Sequence, residues 1–489
     1  MAVPCVRLAL LLCLMIPATV ASPRSLRKSP ANASASRPTA FFEVDRPPRG
    51  GPGRRCSTLL MSASFGSTFD KPPATAAYSP PRCLLKAGGR ASAISLAVLE
   101  WRAACRGPQL DRIFGVWLGG AELLRGSTAA PPPNGIVWSV SKDVTKYASL
   151  LAAAGNSTFA VYLGNLVNAT LTGVYHANVT LHLYIRRTPT TKPPPAMAPA
   201  DLIVPMSRPL PLNGGLWFPI QSAADVASKS VALPSNTYRA VLELYFSFHE
   251  DDELWYKNQP GYQNGPFREV TARVDAVLAG SVCPFPVIYP GGIHPLLWRP
   301  IAPIGSFNLP TYDIELTPFL GKLLDGKAHE FAFAVTNAVG VWYVGANLHL
   351  WLDPGGTSTT AGLICQLGRT LDQWVDKMNT RRTNKKENGS GNSHSRKTPS
   401  LGVEEAEWTE EEEWAPPLAM ESKDEEGGGK SWDVRQTYRY NATDGCYFRN
   451  VTSSNYNVVS DHSNEFCVKG AASAGVGAVT AALPAVNLP

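Results

Sequence analysis

Apolar and polar residues alternate with a period of two along much of this chain. Between positions 175 and 185, Tyr175, Ala177, Val179, Leu181, Leu183 and Ile185 share one face, and His176, Asn178, Thr180, His182 and Tyr184 share the other. Between 239 and 248, Ala240, Leu242, Leu244, Phe246 and Phe248 oppose Arg239, Val241, Glu243, Tyr245 and Ser247. Trp342, Val344, Ala346, Leu348, Leu350 and Leu352 form a third continuous apolar face. Such alternation predicts half-buried strands, one face against a core and one toward water. Weaker segments of the same kind lie at 94–101, 111–118, 157–163, 270–278 and 330–336. An amphipathic helical period is nearly absent between 41 and 352, and Pro and Gly turns separate the strands. Together these features predict antiparallel β-sandwiches and an all-β fold class.

The interruptions of the pattern divide the chain. Arg7 followed by the apolar run Leu8 to Ile16 and the small residues Thr19, Val20 and Ala21 reads as a secretory signal over 1–21, too short to span a membrane. Residues 22–40, rich in Ser, Ala, Pro and Arg, read as disordered. A first sandwich is expected over 41–186 and a second over 201–353, joined by the stiff Pro-rich stretch 187–200. Beyond Asp353, a short helix is predicted at 363–378, followed by a basic block at 379–399 and a run of glutamates at 404–413. Residues 354–430 thus read as a flexible charged insertion, and 431–489 as an incomplete C-terminal β region with a partly disordered tail.

Composition refines this picture. Of 489 residues, 44% are hydrophobic, enough for sizeable cores, and a net charge of +6 over this length does not suit a nucleic-acid binder. Seven cysteines remain after the signal (Cys56, Cys83, Cys105, Cys283, Cys365, Cys446 and Cys467), with no CxxC spacing to hold a metal. Sparse cysteines in an oxidising compartment predict a few disulfides, and the odd count leaves one thiol without a partner in the chain. Sequons at Asn32, Asn156, Asn168, Asn178, Asn388, Asn441 and Asn450 fit a glycoprotein of the secretory pathway, destined for the apoplast, another extracellular site or a vacuole.

Candidate chemistry is sparse. HExxH and GxSxG are absent, and the GxxxxGK spacing of Gly321, Gly326 and Lys327 lacks the following Ser/Thr, so a turn is the expected reading. His176, His182 and His349 lie on strands and read as packing or surface residues. Two segments stand out. FHEDDELWY (248–256) sets four carboxylates beside His249, Trp255 and Tyr256, and GGIHPLLWRP (291–300) sets Trp298 and Arg299 in a Pro/Gly-rich loop. Aromatic faces stack on sugar rings while charged groups bind hydroxyls, so both segments are candidates for carbohydrate recognition. An acidic calcium loop at 250–253 would lack the ligand spacing of an EF-hand.

Longer motifs carry a resemblance. CRGPQLDRIFGVWLGGAELLRGSTA (105–129), GIVWSVSKDVTKY (135–147), FAVYLGNLVNATLTGVYHANVTLHLY (159–184), YRAVLELYFSFHEDDELWY (238–256), GGIHPLLWRPI (291–301) and VWYVGANLHLWLD (341–353) resemble, in this order, the plant peptide-N-glycosidase A family. The resemblance covers 41–353 densely and resumes at 431–467. That family is distantly similar to the bacterial peptide-N-glycosidase F, and the likeness implies two tandem jelly-roll-like sandwiches with the site between them. It implies a glycoamidase that cleaves the amide between Asn and the innermost N-acetylglucosamine of N-glycosylated peptides or proteins, leaving Asp and a free glycan. No cofactor, metal or stable membrane span is implied.

The bacterial catalytic Asp, in a motif that opens a strand, corresponds to Asp111 in Leu110-Asp111-Arg112. In a strand, Asp111 and Arg112 would point to opposite faces, leaving Arg112 a structural part. Two further bacterial glutamates are not kept: Val161-Tyr162-Leu163-Gly164-Asn165 has none, and Asn264 or Gly265 stands where a second would precede Phe267-Arg268. Glu269 or the 250–253 cluster, Glu250 included, would have to substitute. Arg268, Arg299 and glycine-loop amides are candidate donors to substrate, with His249, Trp255 and Trp298 as further contacts. The competing reading is a non-catalytic, secreted glycan-binding sandwich protein.

Overall fold

The computed structural model describes residues 37–48, 50–186, 198–257, 263–361, 419–424, 430–442 and 445–465. The signal, most of the Pro-rich stretch and the helix expected at 363–378 lie outside them. In chain order, the first sandwich contains β1 (Thr39–Glu43), β2 (Arg54–Phe65), β3 (Ala74–Tyr78), β4 (Ile94–Arg106), β5 (Ile113–Leu118), β6 (Ala121–Ser127), β7 (Ile136–Asp143), β8 (Ser157–Leu163) and β9 (Val174–Ile185). One sheet runs β1-β7-β4-β9-β2 and faces a second, β3-β8-β5-β6. Between them pack Leu99, Trp101, Phe114, Val116, Tyr175, Val179 and Leu181, all at most 1% exposed, with Trp101 stacked on Phe114 at 4.2 Å.

The second sandwich contains β10 (Leu202–Met206), β11 (Phe218–Ile220), β12 (Ala227–Ala232), β13 (Thr237–Phe248), β14 (Glu269–Val274), β15 (Val277–Val282), β16 (Ile301–Ala302), β17 (Thr311–Glu315), β18 (Ala328–Thr336) and β19 (Trp342–Leu352). Its sheets run β10-β19-β13-β17, with β11 on β19, and β12-β18-β14-β15. The segment expected as one strand at 270–278 is a hairpin, because Asp275 and Ala276 take φ of 47° and 66° and turn the chain between β14 and β15. The GxxxxGK stretch forms a short helical turn, Leu320–Leu323, and then a turn at Gly326.

Several expectations are corrected. Strand formation starts at Thr39, inside the stretch read as disordered. Two pairings are parallel, not antiparallel: β1 with β7, and β1 with β16, so that chain from the second sandwich completes a sheet of the first. A four-stranded sheet follows, β20 (Ala419–Asp424), β21 (Lys430–Ala442), β22 (Gly445–Ser454) and β23 (Asn457–Asn464), and its first strand lies within the stretch read as charged insertion. It docks on the β1–β16 seam: Val451 packs with Val44 and Ile301, and Gln436 Nε2 donates to the Ala302 carbonyl at 3.2 Å.

The largest correction concerns the polar strand faces. Ala240, Leu242, Leu244, Phe246 and Phe248 line the second core as expected. The opposite face of β13 is not in water: Glu243, Tyr245 and Ser247 are at most 1% exposed, as is Asn347 on β19. These side chains meet β6, the end of β7 and the turn at 145–147 of the first sandwich. Glu122 N–H donates to Asn347 Oδ1 at 3.1 Å, and Asn347 Nδ2 returns a bond to the Glu122 carbonyl at 2.8 Å. The Arg125 guanidinium grips Glu122 through two bonds of 2.7 Å and reaches the Tyr343 carbonyl at 2.5 Å. Glu243 gathers Tyr147, Lys146 and His349. Burial alone would raise the Glu243 carboxyl, but the His349 bond and the two lysines hold it well below the usual carboxylate range. The sandwiches thus join through a buried polar network, where every buried group needs a partner.

A candidate active site between the sandwiches

Asp111 lies in the loop 107–112, two residues before β5 rather than within it. The loop is braced from inside the first sandwich. Buried Gln109 donates through Nε2 to the carbonyls of Leu166 and Gly173, and its Oε1 accepts from Leu110 N–H and from Arg112 Nη2. Tyr175 OH donates to the Leu110 carbonyl at 2.8 Å, and Thr128 Oγ1 accepts from Arg112 N–H at 2.9 Å. Arg112 is therefore a strut, and both flanks of Asp111 are fixed.

The carboxylate points at the second sandwich. Gly291 N–H donates to it. A Cβ on Gly291 would stand 2.0 Å from Asp111 Oδ1, so this approach is open only to glycine. The glycine loop is itself pinned, with Trp298 Nε1 donating to the Gly292 carbonyl at 3.0 Å and Gly292 N–H closing a turn on Tyr289 at 2.8 Å. Glu253 completes the constellation. Its Oε1 lies 3.5 Å from the place a Cβ on Gly292 would take, it feels the Asp111 charge, and its own charge is felt by Tyr256 and Tyr289.

Both carboxyls are tuned upward. Burial raises Asp111, opposed by the Gly291 amide and the Arg112 charge. Burial also raises Glu253, and the Asp111 charge raises it further. Two carboxyls in one site with unlike surroundings are the arrangement that separates an acid from a base. Around them, Leu110 and Ile293 are 54% and 46% exposed, and Ile293 and Glu250 hold φ of 60° and 55°. A β-branched residue in the left-handed region is strained backbone, which concentrates at functional sites.

The other sequence-derived candidates are distributed as follows. His249 is half-buried at the same end of the sheet, stacked on Tyr289 with centroids 5.6 Å apart. Glu250 follows it, exposed, with its charge on Tyr343. Glu269 is 1% exposed at the start of β14, with its charge beside the Cys283 thiol; the acidic partner that the fold gives Asp111 is Glu253. Arg268 is fully buried, held by Asp252 Oδ1 at 2.7 and 3.0 Å and by the carbonyls of Gly265 and Phe267, so its donors serve the protein and not a ligand. Trp255 and Trp298 are 8% and 2% exposed and pack inside, which removes their faces from sugar stacking. Arg299 is half-buried toward Tyr456 of the C-terminal sheet. The sequons Asn156, Asn168 and Asn178 are exposed on the first sandwich. Asn450 Oδ1 accepts from Arg435 at 3.0 Å, and the Asn441 side chain lies outside the described residues.

Cys56 and Cys83 form a disulfide, and Cys446 is also disulfide-bonded. Cys105 and Cys283 are free thiols among the described residues.

Sequence reasoning missed Gln109 and Tyr175 as braces of the site, and took the glycine-loop amides as donors to substrate where the Gly291 amide donates to Asp111. Only the Gly-Gly pair at 291–292 signalled a close backbone approach, and nothing local told which group approaches.

Comparison with known proteins bears on this geometry. The family described as peptide N-acetyl-beta-D-glucosaminyl asparaginase amidase A matches residues 45–367. Peptide-N4-(N-acetyl-beta-glucosaminyl)asparagine amidase A of Prunus dulcis is 52% identical over 345 residues, covering 67% of this chain and 59% of that protein. The chain thus spans about three fifths of the length of this curated relative. Among solved structures, PNGase F, a glycosylasparaginase from Flavobacterium meningosepticum, aligns with a TM-score of 0.41 at 14% identity over 63% of this chain and 98% of its own. PNGF-II aligns at 0.35 and 11%, over 65% of each chain. With two thirds of its length matched by the family and half of the aligned residues identical to the Prunus dulcis protein, the chain belongs to the peptide-N-glycosidase A family.

Proposed function

We propose that this chain hydrolyses the amide joining an asparagine side chain to the innermost N-acetylglucosamine of N-glycosylated peptides or proteins, giving aspartate and a glycosylamine that then loses ammonia. The observation that carries the reading is Asp111 of the first sandwich held by the Gly291 amide of the second, with Glu253 beside Gly292 and raised by the Asp111 charge. Family membership supports it. Resonance protects an amide, so the reaction needs a base for water, donors for the developing oxyanion and a proton for the departing nitrogen.

Asp111 takes the base role. Its ordinary value is the lower of the two, and the Gly291 amide and Arg112 favour its charged form. Glu253, raised by burial and by Asp111, holds the proton that the leaving nitrogen receives. The Ile293 amide, next to the two glycine amides that hold Asp111 and the Tyr289 carbonyl, is the backbone donor of this loop that serves the oxyanion. The two carboxyls titrate as a coupled pair, and the active form carries one proton between them. Activity is then bell-shaped in pH, with both limbs above the ordinary carboxylate range.

Asp111→Asn should fold normally and lose roughly 100- to 10,000-fold in turnover of a glycopeptide, read as conversion of Asn to Asp by mass spectrometry. Near-normal turnover would remove Asp111 from the mechanism. Glycopeptide binding with no hydrolysis by the unaltered chain would instead support a non-catalytic glycan-binding protein. We also infer a secretory destination of acidic pH, supported by the signal-like N-terminus and the exposed sequons. Chain isolated from its source should shift in mobility after removal of its glycans.

A further inference from the structure

The chain of bonds behind His249 fixes which ring nitrogen carries a proton. Arg125 Nη1 donates to Ser247 Oγ at 3.3 Å, and Arg has no acceptor. Ser247 Oγ lies 3.0 Å from His249 Nε2, its one partner among the described residues able to accept its hydroxyl hydrogen. The hydroxyl therefore donates to Nε2, and the proton of the neutral ring sits on Nδ1. Nδ1 has no protein partner among the described residues. The ring is held on both sides, at 5.6 Å and 2° to Tyr289 and at 5.0 Å to Tyr343. Arg125 is in turn immobilised by Glu122, by the Tyr343 carbonyl and by Trp217, whose ring lies 4.9 Å away.

We propose that Arg125 and Ser247 lock His249 as a single-tautomer, neutral hydrogen-bond donor, with Nδ1–H offered to the acetamido carbonyl of the sugar whose amide Asp111 and Glu253 cleave. This assignment rests on the glycoamidase reading for its ligand, but not for its tautomer. The carbonyl is chosen by position. His249 stacks on Tyr289 at 5.6 Å, the Tyr289 carbonyl holds Gly292 N–H at 2.8 Å, and the adjoining Gly291 amide holds Asp111, so the donor flanks the loop that carries the reacting group. A donor that stays uncharged suits a neutral carbonyl oxygen, and burial with the Arg125 charge pushes the imidazole down to about 3. The charged or titratable groups around it are Arg125 beneath, Tyr289 and Tyr343 at its faces, Glu250 next in the chain and Glu253 beyond Tyr289.

Two measurements test this separately. In the full chain labelled with 15N-histidine, the His249 resonances, assigned by their loss in His249→Asn, should show the Nδ1–H form unchanged between pH 4 and 7. An Nε2–H pattern or a ring that protonates in that range overturns the lock, whether or not the chain is an enzyme. With a glycopeptide carrying N-acetylglucosamine at the linkage, His249→Leu should raise KM roughly tenfold with little change in kcat, as loss of one ground-state hydrogen bond requires. His249→Asn, which keeps an N–H near the Nδ1 position, should recover most of it, and Ser247→Thr should retain binding while Ser247→Ala loses it. Equal KM in His249→Leu and the unaltered chain overturns the ligand assignment. Absence of turnover in the unaltered chain sinks the glycoamidase reading and leaves the tautomer result standing.

Discussion

At the scale of single residues, the site depends on one missing methyl group. Gly291→Ala would drive a Cβ into Asp111 Oδ1, which must then turn away from the cleft. Displacement of a reacting group by an ångström is worth about 100-fold in rate, so this variant should keep its fold and lose about that much kcat. A second expectation concerns Glu253. Because the Asp111 charge raises it, Asp111→Asn should lower its titration midpoint, visible by 13C NMR of the Glu253 carboxyl. A midpoint that stays put would show that the two carboxyls are not coupled. Asp111 was singled out only through the resemblance at Leu110-Asp111-Arg112, since an Asp before a strand reads by itself as a turn cap. Its partner was legible only as one of four carboxylates in 250–253, because the chain exposes Glu250 and Asp251, buries Asp252 against Arg268, and turns Glu253 to the cleft.

At the scale of elements, two short segments are held by charges placed at turns. Asp252 is fully buried and accepts from Arg268, from Val339 and Gly340 N–H and from Trp342 Nε1, which fastens the acidic loop to β19. Arg268→Met leaves that carboxylate uncompensated and should cost about 3–5 kcal/mol by denaturant titration, since removing one member of a buried pair strands the other. On the far side of this sandwich, His329 bridges Asp275 in the β14–β15 turn and Asp325 before β18, at 2.6 and 3.0 Å. Burial lowers His329, but the two aspartates outweigh it and raise the imidazole above its ordinary value. Its stabilisation is therefore complete below about pH 6.5 and fades as pH rises through the raised folded value. The aspartates, both lowered, act oppositely and lose their part as pH falls below about 4. Thermal unfolding followed from pH 5 to 8 should show a decline that is absent in His329→Gln.

At the scale of the molecule, the junction between sandwiches is also the platform of the site. Arg125, Glu122, Asn347 and Glu243 hold the two sheets in register, and the Asp111 loop and the Gly291 loop meet because of it. Glu122→Ala would leave Arg125 buried without its carboxylate, and turnover of glycopeptide should fall together with stability. The Cys56–Cys83 disulfide closes a 27-residue separation within the first sandwich. Its removal by Cys83→Ala should cost roughly 3.5 kcal/mol, by the entropy that the loop restores to the unfolded chain. The activity per folded molecule should not change, because neither cysteine approaches the interface.

The period-two pattern by itself determined that this chain forms strands and which residues line the two cores. Those features follow from local alternation, since a strand places successive side chains on opposite sides whatever else the chain does. Which polar face would stay in water was not local. Glu243, Tyr245 and Ser247 read as solvated because alternation reports only that two faces differ, while their burial requires Tyr147, 96 and 98 residues from Glu243 and Tyr245, and Arg125, 122 residues from Ser247, as partners. The same holds for the site. The resemblance supplied Asp111, and only the packing of one sandwich on the other decided that the Gly291 amide and Glu253 would stand near it, because the contacts that join them arise from chain segments with no common period.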